Sequence, residues 1–462
     1  MIIVVYEKRD NLNEILKELP EPNIHERGVD ILTARYLRKD EKGEVVETPK
    51  ELFYRVARVI SSVDSSYSDF DFAKTEKKFY KLMAEGFFMP NSPTLRGAGL
   101  GMNLSACFVL PIEDSREGIF ETLKEAVEIQ AFGGGTGFNF SNLRPRGMLI
   151  NSTKGSASGP LSFMEIYDVA LGKTIAQGGT RQGANMGILN YNHGDVEQFI
   201  ISKNEDGKFR NFNISIGCTE EFMKLALDRK DYSLIDHKGR IIKTLNAGEI
   251  FDKIVENAWM SGDPGIIFLD RLERGNPTPL LGRIESTNPC GEQPLLPYEA
   301  CNLGSINLRK FVNGKTIDYE KLREVIFDCV HFLDNVIDVN KYPLQKIEEI
   351  VKKNRKIGLG VMGFADMLVA LEVPYGSAES MKIAEEVMGF IDSEAEKASI
   401  KLAETRGVFP SWRGSIYDSG SPYYKGRELK LRNSARTTIA PTGTISNIVG
   451  VEGGIEPMFS LA

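Results

Sequence analysis

Ser286-Thr287-Asn288-Pro289-Cys290-Gly291-Glu292 is the stretch on which the reading of this 462-residue chain turns. Proline removes a backbone donor and fixes φ, and glycine admits unusual backbone angles. Cys290, flanked by Pro289 and Gly291, is therefore expected at the tip of a tight loop. Asn288 and Glu292 stand two residues to either side of it. A thiol, an amide and a carboxylate on one short turn can face a common point. The thiol is a hydrogen-atom or proton donor, the carboxylate a general base and the amide an orienting group. A surface turn with an incidental cysteine fits these residues equally well, so the rest of the chain has to decide.

Hydrophobic residues make up 42% of the chain and charged residues 26%, which suits a soluble globular protein. The net charge of -7 leaves no basic footprint for nucleic acid. Met1–Asp10 opens with a short apolar run followed by charges, which is not the order of a signal peptide. No run approaches the ~18 apolar residues of a membrane helix, so a cytoplasmic protein is expected. Cysteines at 107, 218, 290, 301 and 329 form no Cys-x-x-Cys, and histidines 25, 193, 237 and 331 are scattered. No protein-held metal site is expected. Unclustered cysteines favour catalytic or inert thiols over a disulfide framework, and Cys218 and Cys329, in apolar settings, read as small buried hydrophobes.

Residues 1–90 read as a mostly helical N-terminal domain, with Leu52, Val56, Val59 and Ile60 at helical spacing. From Met89-Pro90-Asn91-Ser92-Pro93 onward the texture changes. Short apolar runs at 106–110, 186–189, 212–216, 265–269, 300–308, 357–362 and 437–440 alternate with helical patterns at 115–131, 160–176, 219–228, 248–260, 319–337 and 379–404. That alternation predicts an α/β sheet or barrel over 91–462. Gly133–Gly137 reads as a flexible loop after a helix and matches no phosphate-binding fingerprint. Pro441–Ser446 reads as a phosphate cradle or as a hydroxyl-rich helix cap. Gln177–Asn185 is either an ordinary polar connection or a loop whose Gln and Arg read a nucleobase. Cys107, Cys290 and Cys301 all fall on or beside strand-like segments. They are either unrelated buried cysteines, or a reactive thiol beside a dithiol that supplies two electrons by closing a disulfide.

Together these segments resemble ribonucleotide reductase, specifically its adenosylcobalamin-dependent class II form. The likeness rests on Asn91–Leu95, Leu104–Pro111, Gly133–Phe138, Arg181–Gly187, Asn288–Glu292, Ala300–Gly304 and Pro441–Ser446, in the family's order. The resemblance implies a barrel of ten strands in two antiparallel halves of five parallel strands, with the Cys290 loop threading its centre. It implies Cys290 as a thiyl radical that takes the ribose 3′ hydrogen, Glu292 as base for the 3′-hydroxyl and Asn288 as sugar anchor. Cys107 and Cys301 become the redox pair. Ser92, Ala106, Cys107, Gly135, Asn288 and Glu292 line the substrate pocket, and Pro441, Thr442, Gly443, Thr444 and Ile445 hold the phosphates. A deoxynucleotide effector at a homodimer interface is carried over to Asp114 and Arg144, with Gln177 and Arg181 on the loop that relays its identity. Asp114, just before the expected helix start at Ser115, suits a ribose hydroxyl, and Arg144 suits a phosphate. A thioredoxin-like or other dithiol reductant is implied as well.

Two departures from the family's pattern stand out. The first ~25 residues are too short for an ATP-cone, so no overall-activity site is expected. The family continues past the Ile455–Leu461 motif, so the last strands are expected to be missing or to come from a partner chain. Two alternatives stay open: a class I large subunit served by a metal-containing radical subunit, and a non-catalytic nucleotide-binding fragment or split half.

Overall fold

The structure, a computed structural model, describes residues 12–67, 71–150, 154–175, 183–205 and 207–459. Its strands in chain order are β1 (Phe88–Pro90), β2 (Cys107–Leu110), β3 (Gly135–Asn139), β4 (Asn185–Asn190), β5 (Phe212–Cys218), β6 (Asp231–Ile235), β7 (Ile241–Asn246), β8 (Gly265–Phe268), β9 (Ser286–Thr287), β10 (Pro294–Leu295), β11 (Ala300–Asn307), β12 (Val312–Asn313), β13 (Thr316–Ile317) and β14 (Ile357–Met362). The chain divides into two compact units, Cys107–Ala300 and Met1–Ala106 with Cys301–Ala462.

In the unit 107–300, β2, β3, β4, β5 and β8 are parallel neighbours in that order. Parallel strands need long crossovers and cover on their faces. Helices Arg116–Ala131, Pro160–Val169, Val196–Ile200, Glu220–Leu227 and Ala247–Ser261 supply them. Their starts are written locally: Ser115 accepts from Gly118 N, Thr219 from Phe222 N, and Asn246 from Gly248 N and Glu249 N. Beneath the sheet Phe138, Phe140, Tyr167 and Phe212 pack ring to ring, Tyr167 edge-on to Phe138 at 5.3 Å. This five-stranded parallel set is the half-barrel the resemblance implies.

In the other unit the helices Leu12–Glu18, Glu26–Arg35, Pro49–Ser61 and Phe72–Ala84 form the expected helical N-terminal segment. Thr48 and Glu51 close a capping box ahead of Pro49. β11 pairs antiparallel with β1 and parallel with β14. The long helices Tyr319–Val339 and Ala378–Arg406 complete this unit. Asp334 is fully buried there, 2.9 Å from Arg355, 3.1 Å from Arg406 and 3.3 Å from Arg432. Burial alone would raise its pKa, but the guanidinium groups of Arg355, Arg432 and Arg406 outweigh it and hold the carboxyl below its ordinary range.

One expected strand is absent. Thr437–Ala440 makes a single bridge to β14, Leu359 to Thr437. Thr438 N still donates to the Leu359 carbonyl at 3.0 Å, and past Pro441 the backbone turns at Thr442, φ 54°. Among the described residues no helix is long and apolar enough to cross a membrane.

Candidate active site

The tip of the Cys290 loop is closed by its own residues. Asn288 N donates to the Gln293 carbonyl at 3.2 Å, and Asn288 Oδ1 accepts from Gln293 N at 2.9 Å. Gly291 N returns to the Asn288 carbonyl at 3.1 Å, with Gly291 at φ 87°, where a side chain would be strained. Below the tip β9 and β10 pair antiparallel, Thr287 opposite Pro294. Cys290 stands exposed between them, at the tip as expected.

The hairpin lies directly on β3. Residues 135 and 137 share one face of that strand, and both are glycine. A Cβ on Gly137 would overlap the Thr287 carbonyl, and one on Gly135 would stand 2.7 Å from the Pro289 ring. The reading of Gly133–Gly137 as a flexible loop is therefore corrected: from Gly135 onward it is strand, bare on one face so that a second backbone can approach. The period-two spacing of the glycines was the available signal.

Two side chains that the sequence reading did not single out also hold the hairpin. Asn213 Nδ2 on β5 donates to the Pro289 carbonyl at 2.7 Å, and Asn139 Nδ2 at the end of β3 donates to the Glu285 carbonyl at 2.8 Å. An asparagine inside an apolar strand was the visible sign, because strands disfavour it.

Cys107 opens β2, in register with Gly135, and is buried. Asn288 Nδ2 donates to its sulfur at 3.1 Å, and the thiol is 3.8 Å from Glu292 Oε1, within reach for an S–H donor. The amide, thiol and carboxylate thus form one relay at the root of the Cys290 tip. The amide N–H can steady negative charge on the sulfur, and the carboxylate accepts from its S–H. Elsewhere burial pushes the Cys218 thiol up to about 12 and that of Cys329 well above its usual range, so both are inert.

The remaining expected residues fall as follows. Cys301 is buried on β11, its sulfur 3.3 Å from the Asn302 carbonyl. Ser92 begins the helix Ser92–Gly97, with its hydroxyl 2.6 Å from that of Tyr36, and Ala106 is buried. In Pro441–Ile445 the Thr442 hydroxyl accepts from Gly454 N at 2.8 Å, and Gly443 faces open space. Asp114 and Arg144 pair at 2.8 Å and line a cavity of about 370 Å³ together with Ser115, Ile119, Leu143 and Phe163. Gln177 and Arg181 lie outside the described residues.

Two family profiles match this chain. The family profile described as "Ribonucleotide reductase, barrel domain" matches residues 105–462, and "Ribonucleotide reductase, all-alpha domain" matches 25–103. The chain belongs to the ribonucleotide reductase family, as its motifs suggested. Among curated relatives, the "Vitamin B12-dependent ribonucleoside-diphosphate reductase" of Thermoplasma acidophilum is 48% identical over 94% of this chain and 63% of its own length. The protein of the same name from Mycobacterium tuberculosis is 45% identical over 94% of this chain and 62% of its own. A "Ribonucleoside-diphosphate reductase large subunit" from Variola virus is 29% identical over 99% of this chain and 65% of its own. The chain spans under two thirds of the length of these relatives.

Proposed function

We propose that this chain is the catalytic chain of a class II reductase, which reduces ribonucleotides to 2′-deoxyribonucleotides for DNA precursors in the cytoplasm. The observation that carries the reading is the Asn288–Cys107–Glu292 relay beneath the exposed Cys290 thiol. The 45–48% identity to relatives named for vitamin B12 and for ribonucleoside diphosphates supports that cofactor and substrate class.

Adenosylcobalamin, when bound, supplies the initiating radical. It brings cobalt already held in its corrin, so the chain needs to offer only a reachable thiol, and the exposed Cys290 fits. As a thiyl radical, Cys290 takes the ribose 3′ hydrogen and later returns it. Glu292 accepts the 3′-hydroxyl proton, which favours departure of the 2′ group. Cys107 protonates the 2′-hydroxyl, which leaves as water, and the Asn288 N–H steadies the charge left on its sulfur. Cys301 completes the pair. As the Cys107–Cys301 disulfide forms, two electrons and the Cys301 proton go to C2′, where a C–H bond replaces the lost C–O bond. Glu292 returns its proton to the 3′ oxygen, and an external dithiol, thioredoxin-like or small, restores both thiols. Ser92, Ala106 and Gly135 border the sugar, and Pro441–Ile445 hold the phosphates through N–H and O–H donors. The Asp114–Arg144 cavity takes a deoxynucleotide effector in a homodimer, with Gln177 and Arg181 passing its identity to the substrate base.

The test is deoxynucleotide formation by the purified protein with a ribonucleoside diphosphate, adenosylcobalamin and dithiothreitol. Turnover is expected, Cys290→Ser should abolish it, and Cys107→Ser or Cys301→Ser should stop multiple turnovers. Activity only with a separate metal-containing radical subunit would establish the class I reading instead. Nucleotide binding without activity under either condition would reduce the chain to a binding fragment.

A further inference from the structure

We propose that Asn213 is a positioning residue for the Cys290 thiol, acting through the peptide bond that joins Pro289 to Cys290. The proposal rests on the radical role given to Cys290 above and deepens it.

β5 reads Phe212-Asn213-Ile214-Ser215-Ile216-Gly217-Cys218. Phe212, Ile214 and Ile216 are buried on one face, so Asn213, Ser215 and Gly217 share the other. An asparagine works against its strand here, and such local conflicts are expected where function demands them. From that face the amide reaches the Pro289 carbonyl at 2.7 Å.

The Pro289 carbonyl and the Cys290 nitrogen belong to one planar unit. The pyrrolidine ring fixes φ of Pro289, and that ring sits against Gly135. Gly291 N closes back onto the Asn288 carbonyl at 3.1 Å. With the ring seated and the next turn closed, the plane of the Pro289–Cys290 peptide is the remaining freedom of the tip. The Asn213 hydrogen bond removes it, and that plane sets the direction of the Cys290 Cα–Cβ bond. Asn139, by contrast, holds the Glu285 carbonyl at the foot of the hairpin, five residues before the thiol. Asn213 is itself exposed at the second residue of β5, so its replacement leaves the core packing untouched.

The experiment uses the full chain with Asn213→Ala, Asn213→Asp and Asn213→Gln. Iodoacetamide alkylation of Cys290 in the native protein, followed by peptide mass spectrometry, reports how the thiol is presented without any turnover. Deoxynucleotide formation with adenosylcobalamin and dithiothreitol gives kcat and KM. For Ala and Asp the alkylation rate should change by about threefold or more and kcat should fall about 10- to 100-fold with KM held, since misplacement of a reacting atom acts on the chemical step. Asp, which loses the donor and repels the carbonyl, should be the worse, and Gln, which keeps the donor, should recover part of the loss. An alkylation rate within about twofold of wild type in both Ala and Asp overturns the proposal, whatever kcat does. If the wild-type protein forms no deoxynucleotide, the functional reading fails and the alkylation rates alone decide the role of Asn213.

Discussion

Replacing Gly137 by alanine adds one methyl group where β3 meets the hairpin. The new Cβ would lie 2.9 Å from the Thr287 carbonyl carbon and nearer still to its oxygen, against about 3.4 Å for ordinary contact. Thr287 is backbone at this point, so no rotamer change relieves the clash. β3 cannot retreat, because it is in register with β2 on one side and β4 on the other and its Phe138 is packed against Tyr167. The hairpin must therefore lift by on the order of 1 Å, and Cys290, three residues further on, moves with it. Overpacking of this kind costs about 1–3 kcal/mol of stability. A misplacement of about 1 Å at a reacting centre costs about 100-fold in rate, or ~2.7 kcal/mol of barrier. Steady-state deoxynucleotide formation with adenosylcobalamin and dithiothreitol, alongside a thermal melt to verify folding, measures both. A folded Gly137→Ala protein with kcat within about threefold of wild type would refute the idea that the seat on β3 sets the reacting geometry.

Other outcomes follow from the same structure. Iodoacetamide at pH ~8 should label the exposed Cys290 and spare Cys218 and Cys329, whose raised pKa values keep them protonated; native Cys218 reacting as fast as Cys290 would contradict this. Arg355→Met leaves the Asp334 carboxylate buried with one cation fewer and should destabilise the fold by about 3–5 kcal/mol in denaturant titration, whereas a loss under ~1 kcal/mol would show the cluster to be redundant. Because the folded-state pKa of Asp334 lies below its unfolded value of ~3.9, its stabilisation is complete above that value and drains away as pH falls toward the folded-state pKa. Asp334→Asn should thus flatten the acid side of a melting-temperature profile below pH ~4, and an unchanged slope would count against it. Gly389 lies inside the helix Ala378–Arg406 with no atom within 4 Å of an added Cβ. Gly389→Ala should stabilise by up to ~1 kcal/mol with unchanged kcat, and a lower melting temperature would refute it.

Four of the five parallel strands, β2, β4, β5 and β8, and most of their helices were readable in the sequence because each is coded locally, by short apolar runs and by caps such as Ser115 and Thr219. The Cys290 tip was readable for the same reason, since Pro289 and Gly291 restrict the backbone where they stand. What escaped depends on partners distant in the chain. The glycines of β3 look like a loop until Thr287 and Pro289, some 150 residues later, are known to lie on them. Asn139 and Asn213 are unremarked polar residues until the hairpin carbonyls arrive. Asp334 lies in the helical pattern 319–337, and its cations come from 21, 72 and 98 residues further on. Thr437–Ala440 carried a good strand pattern, yet it makes only a single bridge to β14.

The closure of the tip by Asn288 and Gln293 has a practical consequence. These two residues bind each other through backbone and side chain alike, at 3.2 and 2.9 Å, so the ends of the intervening segment are fixed while Pro289 and Gly291 keep its turn. Pro289 to Glu292 is therefore a cassette. Its reacting atom can be exchanged at one position, selenium for sulfur at Cys290 for instance, while Pro289, Gly291, Glu292 and the scaffold around them stay as they are.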